Sequence, residues 1–344
     1  MPAHPVSEEL LPWACEALGA TGNGGVLRLV AGDASNRRYF RLALAGRDYI
    51  VAEAPPATEN NRAFLQVREL LAAAEVRVPA LYAADLDRGF LLLEDLGDRL
   101  LLPALDSQTS DRHYHRALDI LQQMASVDAS VLPLPAYDST LLEEELGRFP
   151  EWFARALLDY SPSPDEERLF ASLWRKLVDN ALQQPKVLVH RDFHSRNLML
   201  PEDGTLAVID FQDAVIGPVT YDLVSLLRDC YIRWPVDRVR AWALRYRDRL
   251  VAADLLEPVT DEQFLRWFDW MGLQRHIKVL GTFARLYLRD GKPRYLDDLP
   301  LVLSYVEEVL DQYAGSEAVF AEFRAWLRGR LSPLIAAQAW SRAS

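Results

Sequence analysis

The sequence predicts an α+β chain of two lobes, a small β-rich N-terminal lobe followed by a large, mainly helical C-terminal lobe. Three observations carry that expectation. At 344 residues the chain is longer than one hydrophobic core ordinarily serves. Short apolar runs bounded by turn residues crowd the first hundred positions, whereas helical spacing dominates after Gly97. Half of the residues are apolar, and 9 Trp accompany 13 Tyr and 13 Phe, a composition that fills interiors and excludes a disordered chain.

In chain order, SEELLPWACEALGA reads as a short amphipathic helix closed by the turn-rich TGNGG. YFRLAL and YIVAEA read as strands joined across AGRD. ENNRAFLQVRELLAAAEV has helical periodicity, with Phe64, Val67, Leu71 and Ala74 on one face. VPALYAADLDRGFLLLEDLGD supplies two more strands, the second ending at Glu94-Asp95-Leu96-Gly97. Residues 1–96 are therefore expected to form the N-terminal lobe and residues 97–344 the C-terminal one, with a hinge at about 94–98. Within the helical part, two strand-like stretches interrupt the pattern, residues 187–200 and 206–218.

Composition excludes several classes of function. A net charge of −12 argues against a duplex nucleic-acid surface. The two cysteines, Cys15 and Cys230, form no CxxC pair, so neither a disulfide framework nor a structural zinc site is indicated. The N-terminus lacks the basic start and apolar core of a signal peptide, and no apolar run approaches the ~20 residues that span a bilayer. The expectation is a cytoplasmic monomer with neither nucleic acid nor membrane as partner.

The chemistry concentrates in VLVHRDFHSRNLML, residues 187–200. Seven hydrogen-bonding side chains at the mouth of a core are costly unless something needs them there. A second cluster, Ile209-Asp210-Phe211, follows the apolar Leu206-Ala207-Val208. If LAVID pairs with LMLP as a hairpin across the turn-forming EDGT, then Asp192, Asn197 and Asp210 converge. Phosphoryl transfer requires such a set: one carboxylate to orient the attacking hydroxyl, and an amide oxygen and a second carboxylate to hold Mg²⁺ against nucleotide phosphates. An Asp, four residues, an Asn, then an Asp-Phe pair after a short strand is the order of a protein-kinase catalytic and metal-binding segment. A metal-hydrolase reading of His190, Asp192 and His194 lacks support, since no further His-rich element accompanies them among six His in all.

HRDFHSRN followed by IDFQD resembles the aminoglycoside phosphotransferase and choline kinase-like family, whose fold is similar to that of protein kinases. LLLEDLGD resembles the segment that links the lobes and holds adenine, and GPVTYDL the family's Asp-bearing start of the next helix. More narrowly, GDASNRRYFR, the APP after the second strand, and LQRHIKVLGTFARLYLRDGKPRYL are similar to the cell-wall recycling branch. Its members phosphorylate the anomeric (C1) hydroxyl of N-acetylmuramate and N-acetylglucosamine. The resemblance implies ATP and Mg²⁺ as cofactors, Asp192 as catalytic base, and Asn197 and Asp210 as metal ligands. It implies that backbone from Glu94 to Leu96 meets adenine, and that a small-residue loop containing Gly32, Asp33, Ser35 and Asn36 covers the phosphates. His194 and Arg196 would lie near the acceptor. Asp222 reads as a helix N-terminal or loop-bracing carboxylate and not as a catalytic one.

One departure matters. Kinase-like enzymes carry a Lys on the third strand to neutralise phosphates, but the corresponding strand here ends Ile50-Val51-Ala52-Glu53 and the first Lys of the chain is Lys176. Either the chain binds nucleotide without turnover, or an arginine substitutes; Arg37, Arg38 and Arg41 follow the small-residue loop, with Arg38 and Arg41 on opposite strand faces. For the acceptor, Arg275, Lys278, Thr282, Arg285 and Arg289 fall along one face of a helix read over Leu273 to Arg289. That face suits a carboxylated amino sugar, whereas an aminoglycoside or choline-type acceptor predicts acidic residues. Glu144-Glu145 with Trp152 form a second candidate sugar contact. A protein kinase is disfavoured because no APE-like anchor follows Asp210.

Overall fold

A computed structural model describes residues 6–20, 25–31, 36–128 and 131–342. The chain divides into two compact units, Met1–Ala104 with Arg196–Asp213, and Leu105–Ser195 with Ala214–Ser344.

The first unit is built on a five-stranded antiparallel sheet in the order β1-β2-β3-β5-β4. Its strands are β1 (Leu27–Ala31), β2 (Arg38–Leu44), β3 (Arg47–Glu53), β4 (Leu81–Asp85) and β5 (Phe90–Glu94). The β2–β3 connection is tighter than the expected AGRD loop. Ala45 and Gly46 both take positive φ, 52° and 77°, so two residues make the turn and Arg47 and Asp48 join the strand. Turns of this kind match the right-handed twist of the flanking strands. Leu10, Trp13 and Ala14 of helix α1 (Leu10–Ala17) pack on Phe40, Leu42, Val51, Phe90 and Leu92. Helix α2 (Asn61–Ala73) starts where the Asn60 side chain accepts the Ala63 N–H, and buries Phe64, Val67 and Leu71.

The expected hairpin belongs to this unit. Leu198–Met199 pairs with Ala207–Val208. Three further hydrogen bonds tie it in: Leu101 N–H to Leu198 O at 2.8 Å, Leu200 N–H to Arg99 O at 2.7 Å, and Val208 N–H to Arg77 O at 2.8 Å. Met199 and Ala207 form a small core with Leu96.

In the second unit helices predominate: α3 (Ser110–Ala125), α4 (Ser139–Arg148), α5 (Pro164–Leu182), α6 (Tyr221–Leu227), α7 (Val236–Ala252), α8 (Asp261–Leu288), α9 (Leu299–Tyr313) and α10 (Ala318–Trp326). A π-helical stretch, Phe149–Leu157, continues α4. Helix α8 is longer than expected, 28 residues capped by Thr260, and is buried nearly all round from Phe268 to Gly281 because α4, α5, α6, α7 and α9 surround it. A two-stranded antiparallel ladder, Lys186–Val189 with Val215–Pro218, leads into the polar segment at His190. No helix among the described residues is long and apolar enough to cross a membrane.

Candidate active site

Two buried carboxylates pin the loop 190–195. Asp222, in the first turn of α6, accepts the His190 N–H at 2.6 Å on Oδ2 and the Arg191 N–H at 3.1 Å on Oδ1. This fixes Arg191 at φ 75°, a left-handed conformation that costs a non-glycine residue free energy. Burial pushes the Asp222 carboxyl up to about 6. Asp229 accepts both the Ser195 N–H, at 3.0 Å, and the Ser195 hydroxyl. Between these anchors the Asp192 N–H donates to His190 Nδ1 at 3.2 Å, and the His194 N–H to Asp192 O at 3.0 Å. The loop is therefore a rigid mount for Asp192, and Asp222 is its brace.

The Asp192 side chain is open to solvent, yet charged groups of its own unit crowd it. Partial desolvation pushes its carboxyl up, but Lys278, then His194, Arg275 and His190, hold it below the ordinary range. Lys278 is itself placed by the Tyr221 hydroxyl and Glu145 Oε1, each at 2.9 Å. Glu145 is fully buried; Oε1 also accepts from Arg191 Nη2 at 2.6 Å, and Oε2 accepts the Tyr137 hydroxyl. Burial alone would raise the Glu145 carboxyl, but Lys278 and Arg191 hold it at about 2.

The basic stripe on α8 thus runs from interior to surface. Arg275 and Lys278 are buried, Thr282 and Arg285 half-buried, and Arg289 exposed beside Asp290. Arg275 donates to Cys230 Sγ at 3.5 Å. The expectation that Glu145 receives sugar hydroxyls is corrected: both its oxygens are occupied internally, so it fixes Lys278 and Arg191 instead. Trp152 is half-buried in the π-helical stretch. His194 stands edge-on to Tyr231 at 5.4 Å, and desolvation holds its imidazole below the ordinary value.

In the first unit, the hairpin register sets Asn197 beside Asp210. The Ile209 N–H donates to Asn197 O at 3.1 Å, and Asn197 Nδ2 lies 3.5 Å from Asp210 Oδ2. Asp210, at φ 65°, presents an exposed carboxylate steadied by Gln212 Nε2 at 2.8 Å. The next residue, Phe211, is buried and stacks on Phe64 of α2 at 4.9 Å. A side-chain amide and a carboxylate side by side offer hard oxygens of the kind Mg²⁺ takes when water and phosphate fill its other positions, although here the amide nitrogen is the atom that faces Asp210. Arg196 is exposed.

The three candidate arginines have different partners. Arg38 meets Glu53, its cross-strand neighbour. Arg41 is clamped by Asp95 and by Asp98 at 2.9 Å. Arg37 is carried inward: Nη2 reaches Asn61 Oδ1 at 3.2 Å and Glu59 at 3.7 Å, and its guanidinium covers the Phe64 ring at 4.9 Å. Tyr39 bonds to Arg37 and also feels the charge of Asp210. Glu94 is held by Arg77 at 2.7 Å and by the Ala80 N–H at 3.1 Å, while its own N–H bonds Ala80 O. Leu96 is buried, and Asn36 is exposed with its N–H on Glu59 at 3.0 Å. Gly32, Asp33 and Ser35 lie outside the described residues.

A model of the Phosphotransferase enzyme family matches residues 26–268. The chain belongs to that family. This phosphotransferase is 42% identical over 321 residues to an N-acetylmuramate/N-acetylglucosamine kinase of Pseudomonas putida, which covers 90% of this chain and 94% of the relative. A Pseudomonas aeruginosa protein of the same name is 45% identical over 275 residues, 80% of this chain and 81% of that one. A solved aminoglycoside phosphotransferase, bound to ADP, is similar with a TM-score of 0.58 at 14% identity, covering 88% of this chain and 99% of that chain. The α+β, protein-kinase-like fold implied by the motifs is the fold observed.

Several residues that shape the phosphotransferase's site receive no role from the sequence motifs. Tyr137, Tyr221 and Asp229 place Glu145, Lys278 and Ser195, and Glu59, Asn61 and Tyr39 surround Arg37. For the second group a signal existed, since an acidic-amide pair opening α2 sits where a helix start collects such residues. For the first none did, because Tyr137 before α4 and Tyr221 at the start of α6 are buried and read as core.

Proposed function

We propose that this phosphotransferase is an ATP- and Mg²⁺-dependent kinase of amino sugars, transferring the γ-phosphoryl group to the C1 hydroxyl of N-acetylmuramate or N-acetylglucosamine. The place of that reaction would be the cytoplasmic recovery of cell-wall sugars by a monomeric enzyme. The observation that carries the acceptor is identity of 42% and 45% to two kinases of that name over most of the chain. What supports the reaction class is the pinned loop that presents Asp192 and the hairpin that pairs Asn197 with Asp210.

Each residue then has a task. Asp192 would accept a hydrogen bond from the C1 hydroxyl, orient its oxygen toward the γ-phosphorus, and take the proton as the O1–P bond forms and the bond to the β-γ bridging oxygen breaks. With its carboxyl held low by Lys278, Asp192 is a weak base, which suits a loose transition state where the proton leaves late. Asn197 and Asp210 would hold the Mg²⁺, whose charge offsets that on the phosphates. Residues up to about 96 would hold the nucleotide, the backbone of Glu94 to Leu96 meeting adenine, and residues from 97 on would supply the base and the acceptor site.

Purified protein incubated with ATP, Mg²⁺ and a panel of amino sugars, aminoglycosides and choline tests this. ADP release with N-acetylmuramate or N-acetylglucosamine and loss of the sugar's reducing end are expected. Asp192→Asn should lower kcat by ~10²–10⁴ with nucleotide affinity unchanged. Release of ADP only with choline or an aminoglycoside, or wild-type turnover by the variant, would sink the proposal.

A further inference from the structure

Arg285 is an arginine without a counter-ion. Its two basic neighbours each face a carboxylate: Arg148 has Glu144 at 3.7 Å, and Arg289 has Asp290 at 2.7 Å. The Arg285 side chain makes no hydrogen bond or ion pair with any described residue, although it is half-buried and its Nε is sealed from solvent. Thr282, one turn earlier on the same face, likewise has a buried Oγ1 with no partner. Desolvation and the like charges of Arg148 and Arg289 outweigh the attraction of Asp290 and Glu151, so the guanidinium is held below its ordinary value. Leaving buried donors unmatched is costly, and concentrating like charge is a second cost.

The fold brings these groups together deliberately. At Gly281 the helix touches the start of the π-helical stretch, where a Cβ would stand 2.3 Å from the Arg148 carbonyl carbon. Only glycine permits that approach, and it sets Arg148 against α8 one turn before Arg285. The place is also metrically apt. Arg285 lies seven residues beyond Lys278, which faces Asp192, so about 10 Å of helix separates the two side chains on one face. A pyranose whose reacting hydroxyl meets Asp192 and whose acid-bearing substituent sits two ring carbons away spans part of that length, and the long Arg285 side chain can cover the rest. Lys278 is set aside as reader of that acid, because Glu145 and the Tyr221 hydroxyl already hold its ammonium and its charge acts on Asp192.

We propose that Arg285, with Arg148 and Thr282 beside it, is a carboxylate-binding subsite that reads the acidic substituent of the acceptor sugar. The inference rests on the amino-sugar kinase reading and adds to it where an N-acetylmuramate carboxylate is told from the neutral N-acetylglucosamine. The experiment compares the two sugars in Arg285→Gln, Arg285→Lys and Arg148→Gln.

Losing a charge-assisted hydrogen bond should lower kcat/KM for N-acetylmuramate by roughly ten- to a hundredfold in Arg285→Gln. N-acetylglucosamine, which has no carboxylate, should stay within about threefold of wild type by the same reasoning. Arg285→Lys should recover part of the loss, and Arg148→Gln should show a smaller loss for the acid sugar only. Equal losses for both sugars, or no change for either, would overturn the inference while leaving the kinase reading intact. If wild type turns over neither sugar, the kinase reading fails, and calorimetric titration with both sugars then decides the subsite. Wild-type binding of N-acetylmuramate no tighter than N-acetylglucosamine would refute it there too.

Discussion

Replacing Glu145 by Gln removes the carboxylate that Lys278 and Arg191 share, and the structure sets the size of the effect. The carboxyl is held at about 2 against an ordinary 4.5, because the two cations overcome the cost of burial. A displacement of that size corresponds to about 3 kcal/mol at neutral pH. Glu145 is fully buried, so little solvent screening reduces this figure. Breaking one partner out of a buried ion network independently suggests ~3–5 kcal/mol.

The depressed carboxyl contributes stability that is present above pH 4.5 and lost as pH falls toward 2. Urea unfolding of wild type and Glu145→Gln at pH 7 and pH 3 should show a gap of about 3 kcal/mol that shrinks by more than half at the lower pH. In parallel, Lys278 loses its tether, so kcat should fall even at temperatures where the variant is fully folded. A gap that is independent of pH, or under ~1 kcal/mol at pH 7, would show that the cations do not depend on Glu145.

Substitutions at three other residues probe the site and its mounts. Asp222→Ala strands the N–H groups of His190 and Arg191, which should cost about 2 kcal/mol or more in thermal or urea unfolding and lower kcat at least tenfold. Because the Asp222 carboxyl is raised to about 6, its contribution is complete below pH 3.8 and declines as pH rises through about 6; the stability of wild type relative to Asp222→Asn should fall over that window. Arg37→Gln should weaken a fluorescent ATP analogue about tenfold or more, because Arg37 approaches Asp210 through Tyr39. Arg41→Gln, tied to Asp95 and Asp98, should change the melting temperature more than the affinity; equal affinity losses would contradict this ranking.

What the chain discloses by itself follows the range over which each cause acts. The strands of the first unit were legible because alternation and turn chemistry are local: Phe40 and Leu42 face the core that α1 covers, and the hairpin between Leu198 and Val208 needs only two short apolar runs and a turn. Asn197 and Asp210 were legible as neighbours for a similar reason, since the hairpin that sets them side by side is local in sequence. The stripe on α8 was legible as a stripe but not as an environment. Periodicity assigns Arg275, Lys278 and Arg285 to one face, yet which of them is neutralised depends on Glu145, Tyr221 and Arg148, which come from α4 and α6. A shared face on one helix therefore yields unequal chemistry. Lys278 is held within the fold by Glu145 and Tyr221, whereas the Arg285 Nε has no partner among the described residues. That division comes from tertiary packing, where Gly281 lets Arg148 approach α8, and no window of sequence contains it.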